Sequence, residues 1–246
     1  MRTRLDAAMV KRGLAASRSE AVLLIEEHSV SVSGVIAEKA SRLVSPDEPI
    51  ELIRHRKYVS RGGEKLEGAL DAFSIDVSGV SALDAGSSTG GFTDCLLQRG
   101  ALRVFAVDVG RNQLHERIAS DPRVTWREGV NVRELTSGDL PFSCTLLVAD
   151  LSFISLVTVL PALSALVEND AQMVLLVKPQ FEVGREEASR GRGVITDPAL
   201  HRASVEKVAG EAERLGWQVA GVVESPIKGG EGNTEFLLHL KRAARP

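Results

Sequence analysis

Asp84-Ala85-Gly86-Ser87-Ser88-Thr89-Gly90-Gly91-Phe92 is the stretch on which the reading of this chain turns. An apolar run over 80–85 leads into it, and a helical pattern over 90–99 leaves it. The glycines let the backbone swing sharply from strand to helix and let a ligand come close to the main chain. Two phosphate-binding patterns are excluded by spacing. Ser88 stands where G-x-G-x-x-G needs its second glycine, and no Gly-Lys-Ser/Thr follows as a P-loop requires. An acidic residue before such a turn suits a cationic ligand without a pyrophosphate. A plain tight turn in an α/β fold is the simpler alternative.

Outward from this turn, strands are predicted near 80–85, 103–108, 123–127, 145–149, 172–177, 218–224 and 235–240. Helices are predicted around 90–99, 111–119, 154–167 and 198–214. Leu146-Leu147-Val148 and Val174-Leu175-Leu176-Val177 are apolar throughout, as a parallel sheet covered on both faces requires. The last two strands are joined by Lys228-Gly229-Gly230-Glu231-Gly232-Asn233 with no helix between, so they should pair antiparallel. The class is α/β: a Rossmann-like, seven-stranded mixed sheet with its last strand antiparallel. In such a sheet the tip of the second strand, Phe105-Ala106-Val107-Asp108, places a carboxylate where both ribose hydroxyls of a nucleoside can donate to it. Together with the glycine turn, Asp108 points to S-adenosylmethionine as the cofactor. The predicted binding set is Asp84, Gly86, Ser87, Gly90, Gly91, Phe92, Asp108, Val109, Asp150 and, near the adenine, Asn131.

The N-terminal stretch has a different pattern. Leu5, Ala8 and Met9 share one face of a helix over 4–12, which Gly13 ends. Ser17, with Glu20 three residues later, forms a capping box for a second helix whose apolar face holds Ala21, Leu24 and Ile25. After His28 the period switches to two, and Val30 and Val32 alternate with serines up to the turn Ser33-Gly34. The result is a small α+β unit. Residues 1–57 carry ten Lys/Arg against eight Asp/Glu, whereas the rest carries twenty against twenty-five, for a total of −3. A weakly basic unit on an acidic chain suggests a separate binding module. The division expected is a domain over 1–55, a linker over 56–63 and a larger domain over 64–243.

Composition narrows the classes further. With 43% hydrophobic and 26% charged residues the chain reads as an ordinary globular protein. No apolar run reaches the roughly 18 residues of a membrane span; Ile154 to Val167 is too short and is interrupted by Pro161. Asp6, Lys11 and Arg12 leave no apolar core for a signal peptide. Two cysteines, Cys95 and Cys144, form neither a disulfide framework nor a metal cluster, so no metal is expected. The expected compartment is the cytoplasm, with no membrane partner.

The fourth strand ends in Asp150-Leu151-Ser152-Phe153, not in the Asn/Asp-Pro-Pro-aromatic of enzymes that methylate exocyclic base nitrogens. A cytosine-C5 enzyme needs a cysteine beyond that strand; Cys144 precedes it and Cys95 lies in the first helix, so both read as core. Oxygen remains as the acceptor. Lys178 leaves an apolar strand at the carboxyl edge of the sheet, where ligands bind in such folds. A neutral amine there could take a hydroxyl proton, although a strand-end lysine more often snorkels to the surface.

These parts match one family. Arg4-Leu5-Asp6, Gly13-Leu14, Ser17-Arg18-Ser19-Glu20-Ala21 and Val30-Ser31-Val32-Ser33-Gly34 resemble the S4 RNA-binding module, with His28 near a position where that module usually has glycine. Residues 58–240 resemble the FtsJ-like ribose 2′-O-methyltransferases, and the combination, joined by Tyr58-Val59-Ser60-Arg61-Gly62-Gly63-Glu64-Lys65-Leu66, resembles the TlyA family of ribosomal RNA methyltransferases, also called haemolysins. The resemblance implies methylation of cytidine 2′-hydroxyls in 16S and/or 23S ribosomal RNA, with ribosomal RNA or subunits as partners. It also implies a Lys-Asp-Lys-Glu tetrad, matched by Lys65, Asp150, Lys178 and Glu235. Lys178 would deprotonate or orient the ribose hydroxyl, Asp150 and Glu235 would hold the lysines, and Lys65 would contact the substrate. Arg4, Arg18, Lys57 and Arg61 are expected to grip phosphates, as are Arg185, Arg190 and Arg192, whose segment reads equally well as a solvated loop. The rivals are a small-molecule O-methyltransferase, a ribosome-assembly factor that only binds RNA, and a membrane-active haemolysin.

Overall fold

The computed structural model describes residues 2–26, 28–53, 57–184, 187 and 193–242. The chain divides into two compact units, Met1–Arg56 and Lys57–Pro246.

In the first unit, β1 (Thr3–Arg4) pairs antiparallel with β4 (Leu43–Val44). β2 (Val30–Val32) lies between β3 (Val35–Ile36) and β5 (Ile50–Leu52) in a second small sheet. Two helices, α1 (Leu5–Lys11) and α2 (Arg18–Glu26), bury Leu5, Met9, Ala21 and Ile25 with Val30 and Val32. The capping box forms with a shifted partner. Ser17 Oγ accepts from the Glu20 N–H at 3.1 Å, while the Glu20 carboxylate reaches back to the Ala16 N–H at 2.6 Å. That arrangement satisfies two donors the helix start would otherwise orphan. His28 has φ +54°, the left-handed conformation that glycine adopts at least cost. The turn into β2 is therefore the one a glycine would make, held by histidine at about 1 kcal/mol of strain.

The second unit opens with α3 (Gly62–Ala72) and continues through β6 (Ser81–Ala85), α4 (Gly91–Gln98), β7 (Arg103–Asp108), α5 (Glu116–Ala119) and β8 (Val124–Glu128). It then runs through β9 (Leu146–Ala149), α6 (Leu156–Ala165), β10 (Gln172–Val177), α7 (Pro179–Glu182), α8 (Pro198–Arg214), β11 (Trp217–Glu224) and β12 (Phe236–Arg242). The sheet order is β11-β12-β10-β9-β6-β7-β8, and β12 runs antiparallel to both neighbours. The expected seven strands and reversed last strand are thus present. Alternate residues explain why the central strands are apolar throughout. Leu83, Leu147 and Leu175 enter one core with Phe105, Leu160 and Trp217, while Ala82, Val148 and Val174 enter the other with Leu66, Leu70 and Leu96. Both cysteines are buried, and burial pushes each thiol up to about 12, so they are inert core residues as expected.

One predicted helix is mostly absent. Of residues 111–119 only Glu116–Ala119 are helical. The Glu128 carboxylate takes the N–H groups of Asn112, Gln113 and Leu114 at 2.6–3.0 Å, and Asn112 sits at φ +58°. A side chain from the neighbouring strand outcompetes the helical hydrogen bonds there.

The position of the site follows from the topology. From β6 the chain builds outward through β7 and β8, then returns to build β9 and β10 on the opposite side of β6. At such a reversal the loops after the two central strands diverge and leave a crevice at their carboxyl ends.

Candidate active site

Glycine shapes the floor of this crevice. Gly86, immediately after β6, has φ +85°, and a Cβ there would lie 2.5 Å from the Asp150 carbonyl oxygen at the end of β9. The N–H groups of Gly86 and Ser87 both donate to the Val107 carbonyl, at 2.8 and 3.1 Å. A Cβ on Gly91 would lie 2.3 Å from Ser60 Oγ and 2.9 Å from the Gly63 nitrogen, so the starts of α4 and α3 touch backbone to backbone. Gly63 in turn packs under the ring of buried Tyr58. Residues 58–63, read from sequence as part of a linker, thereby pack within the second unit and bring Lys65 to the crevice.

Two lysines, each paired with a carboxylate, line the resulting pocket, whose volume is about 290 Å³. Lys65 on α3 donates to Glu235, just before β12, at 2.6 Å, and both side chains are buried. Lys178, between β10 and α7, stands 2.6 Å from Asp150 Oδ1 in an ion pair not aligned as a hydrogen bond. It donates to Ser152 Oγ at 2.8 Å. Lys65, Lys178 and Asp150 thus reach one pocket from segments distant in sequence, with Glu235 holding Lys65 although it does not itself line the pocket. Lys178 is 8% exposed, so it does not snorkel to the surface. Ion pairs held this far from water are costly to keep unless their partners stay in place.

Of the predicted cofactor residues, Gly86, Ser87, Gly91, Phe92 and Asp150 line this pocket together with Lys65 and Lys178. Asp108 accepts from the Ser88 N–H at 2.7 Å and the Gly110 N–H at 2.6 Å, which staples the glycine turn to the tip of β7. Gly90, at φ +93°, stands before α4, and Val109 beside Asp108 is exposed. Asn131 caps the short helical turn Val132–Glu134 by accepting from the Arg133 N–H at 3.1 Å. Asp84 is fully buried and takes the Thr93 hydroxyl at 2.6 Å, while its second oxygen has no hydrogen-bond partner. Burial pushes its carboxyl up to about 7.

The basic residues divide. Arg4 and Arg18 both bind the buried carboxylate of Asp6, at 3.0 and 2.8 Å, yet keep 47% and 61% of their side-chain surface for a partner. Those arginines hold the Asp6 carboxyl well below the usual range. Lys57 pairs with Glu67, and Arg61 donates to the Lys228 carbonyl at 2.8 Å at the pocket rim. Arg185, Arg190 and Arg192 lie outside the described residues.

Sequence reading missed several participants. Ser60, Ser152, Lys228 and Gly230 line the pocket. Asn233 ties two loops by accepting from the Ile195 N–H and donating to the Gly193 carbonyl. Glu182 accepts from Ser155 Oγ at 2.5 Å and from the Leu156 N–H at 2.6 Å. Only their nearness to quoted motifs could have flagged them.

The sheet order and reversed last strand define the methyltransferase variant of the Rossmann fold. The same fold appears in an S-adenosylmethionine dependent methyltransferase from Mesorhizobium loti, at 16% identity and a TM-score of 0.53 over 71% of this chain and 96% of that one. The FtsJ-like methyltransferase family matches residues 58–242, and the S4 domain family matches residues 3–50. The chain belongs to the TlyA family: it is 49% identical to the 16S/23S rRNA (cytidine-2′-O)-methyltransferase TlyA of Mycobacterium tuberculosis over 98% of this chain and 90% of that protein. A solved structure from Streptococcus thermophilus, provisionally named a hemolysin, matches at 39% identity and a TM-score of 0.78, over all of this chain and 90% of that one.

Proposed function

We propose that this chain methylates a cytidine ribose 2′-hydroxyl in ribosomal RNA with S-adenosylmethionine as the donor. The observation that carries the reading is the convergence of Lys65–Glu235 and Lys178–Asp150 on one pocket beside a glycine cradle. The cradle fits the cofactor: Gly86 and Gly91 let neighbouring backbone segments close up where a side chain would collide, and the cleft left beside them is lined by Gly86, Ser87, Gly91, Phe92 and Asp150. Gly86, Ser87, Gly90, Gly91, Phe92, Asp108, Val109, Asn131 and Asp150 would hold it, with Asp84 bracing α4 from beneath through Thr93. When bound, it supplies a methyl group on a sulfonium, open to attack by an oxygen nucleophile.

Lys178 takes or orients the proton of the ribose hydroxyl, and Asp150 fixes the amine for that task. Lys65, fixed by Glu235, faces the acceptor as a second cation. Residues 1–55 form the RNA-binding domain and residues 58–242 the methyltransferase domain. Arg4 and Arg18, held by Asp6, supply phosphate contacts that position without reading sequence. Their S4 module favours an RNA acceptor over a small molecule. For the haemolysin reading, no described helix is long and apolar enough to cross a membrane.

Ribose-methylation mapping of 16S and 23S ribosomal RNA, with and without the protein, tests the proposal. The expected result is a 2′-O-methylcytidine present only with the protein. Identical maps would overturn it.

A further inference from the structure

Ser152 belongs to none of the four charged groups above, yet it touches Lys178. Its segment is fastened at both ends. Before it, the Asp150 N–H donates to the Ala85 carbonyl at 3.1 Å, and the Asp150 carbonyl sits where Gly86 leaves no room for a side chain. After it, buried Glu182 on α7 grips Ser155 and Leu156, so the loops after β9 and β10 are tied to each other. Ser152 Oγ is therefore presented to Lys178 on a fixed backbone, 2.8 Å from Nζ and on the pocket wall.

The geometry points to Ser152 as a positioning residue that aims the Lys178 amine at the acceptor hydroxyl. A lysine Nζ has three tetrahedral directions beyond its Cε bond. Ser152 Oγ, accepting at 2.8 Å, occupies one of them, while Asp150 Oδ1 holds the amine as an ion pair at 2.6 Å without hydrogen-bond alignment. When the amine is neutral it keeps two N–H bonds and one lone pair. With one N–H bond turned to Ser152, the negative charge of Asp150 draws the second N–H to its own side, the lone pair takes the remaining direction, and the proton of the acceptor hydroxyl moves to it. Asp150 alone attracts the amine without fixing an N–H direction, so the amine rotates about Cε–Nζ and the lone pair is turned away for part of the time. Ser152 removes that rotation.

This inference rests on the proposed methyl transfer, and its test separates the two. Wild-type protein is assayed on ribosomal subunits; absence of any methylation would sink the proposed function itself. Given wild-type activity, Ser152→Ala should lower kcat by about ten- to a hundredfold, the range for one lost hydrogen bond to a charged group. The KM for subunits, the calorimetric affinity for S-adenosylmethionine and the Tm should stay within twofold or a degree of wild type. Ser152→Thr, which keeps the hydroxyl, should recover most of kcat. Full kcat in Ser152→Ala overturns the inference, as does a defect confined to KM, which would mark a substrate contact. A loss of kcat that threonine does not rescue overturns it as well.

Discussion

Replacing Glu235 by alanine removes one charge from a pair that water barely reaches. The Lys65 side chain keeps 11% of its surface and Glu235 keeps 3%, with 2.6 Å between Nζ and Oε2. Solvent screening is therefore weak, and Glu235→Ala leaves a buried ammonium without its anion. Removing one partner of a buried pair costs about 3–5 kcal/mol. For a unit of this size each kcal/mol lowers the Tm by about 2–4 °C, so a drop of about 6–20 °C is expected. The double variant Lys65→Met/Glu235→Leu removes both charges in similar volume and should regain most of that stability while remaining inactive. Urea unfolding of the three proteins at pH 7, paired with a methylation assay, provides the measurement. Two results would refute the reasoning: wild-type stability in the single variant, or a double variant no more stable than the single one. The second would assign the loss to packing rather than to the stranded charge.

Other consequences can be checked separately. Lys178→Ala and Lys178→Arg should both abolish methyl transfer with S-adenosylmethionine affinity intact, because a guanidinium stays protonated; near-normal turnover in the arginine variant would make Lys178 an electrostatic clamp. Gly86→Ala places a Cβ 2.5 Å from the Asp150 carbonyl at φ +85°, which should cost about 1–3 kcal/mol and raise the Kd for S-adenosylmethionine at least about tenfold, read by calorimetry. Asp84 has a folded-state carboxyl raised to about 7, so its protonated form is favoured by folding. Its stabilisation is full below the ordinary carboxylate range and is lost as pH rises through about 7, so Asp84→Asn should flatten the fall in stability between about pH 4 and 7 and be the more stable protein at pH 8. Deleting residues 1–55 should leave cofactor binding measurable but remove most subunit capture, and full-length binding should weaken steeply with salt; equal methylation by the truncated protein would show that the N-terminal module is not the anchor.

Much of the candidate site was legible because its residues sit in short local patterns. The glycine turn after β6, Asp108 at the tip of β7 and Lys178 after an apolar strand each follow from strand periodicity plus one residue of unusual type. The same local reasoning failed at 111–119, where the pattern suits a helix but Glu128 from the next strand captures the N–H groups. It also placed the second domain's start at residue 64, whereas Tyr58 is buried against Gly63 and residues 58–63 pack against α3 and α4 of the second unit.

By itself, the sequence determined the α/β class, the strand count, the reversed last strand and the residue types available for chemistry. Those depend on hydrophobic period and turn composition, which are properties of neighbours along the chain. Only the tertiary structure decided which carboxylate holds which lysine. Lys65 and Glu235 are 170 residues apart, and Lys178 meets Asp150 and Ser152 only because β10 lies beside β9. It also decided that Gly86 must be glycine for the sake of Asp150, and that Glu182 fastens two loops. Contacts of this kind are made across strand order, and strand order is set by how the whole sheet buries its two faces rather than by any local run of residues.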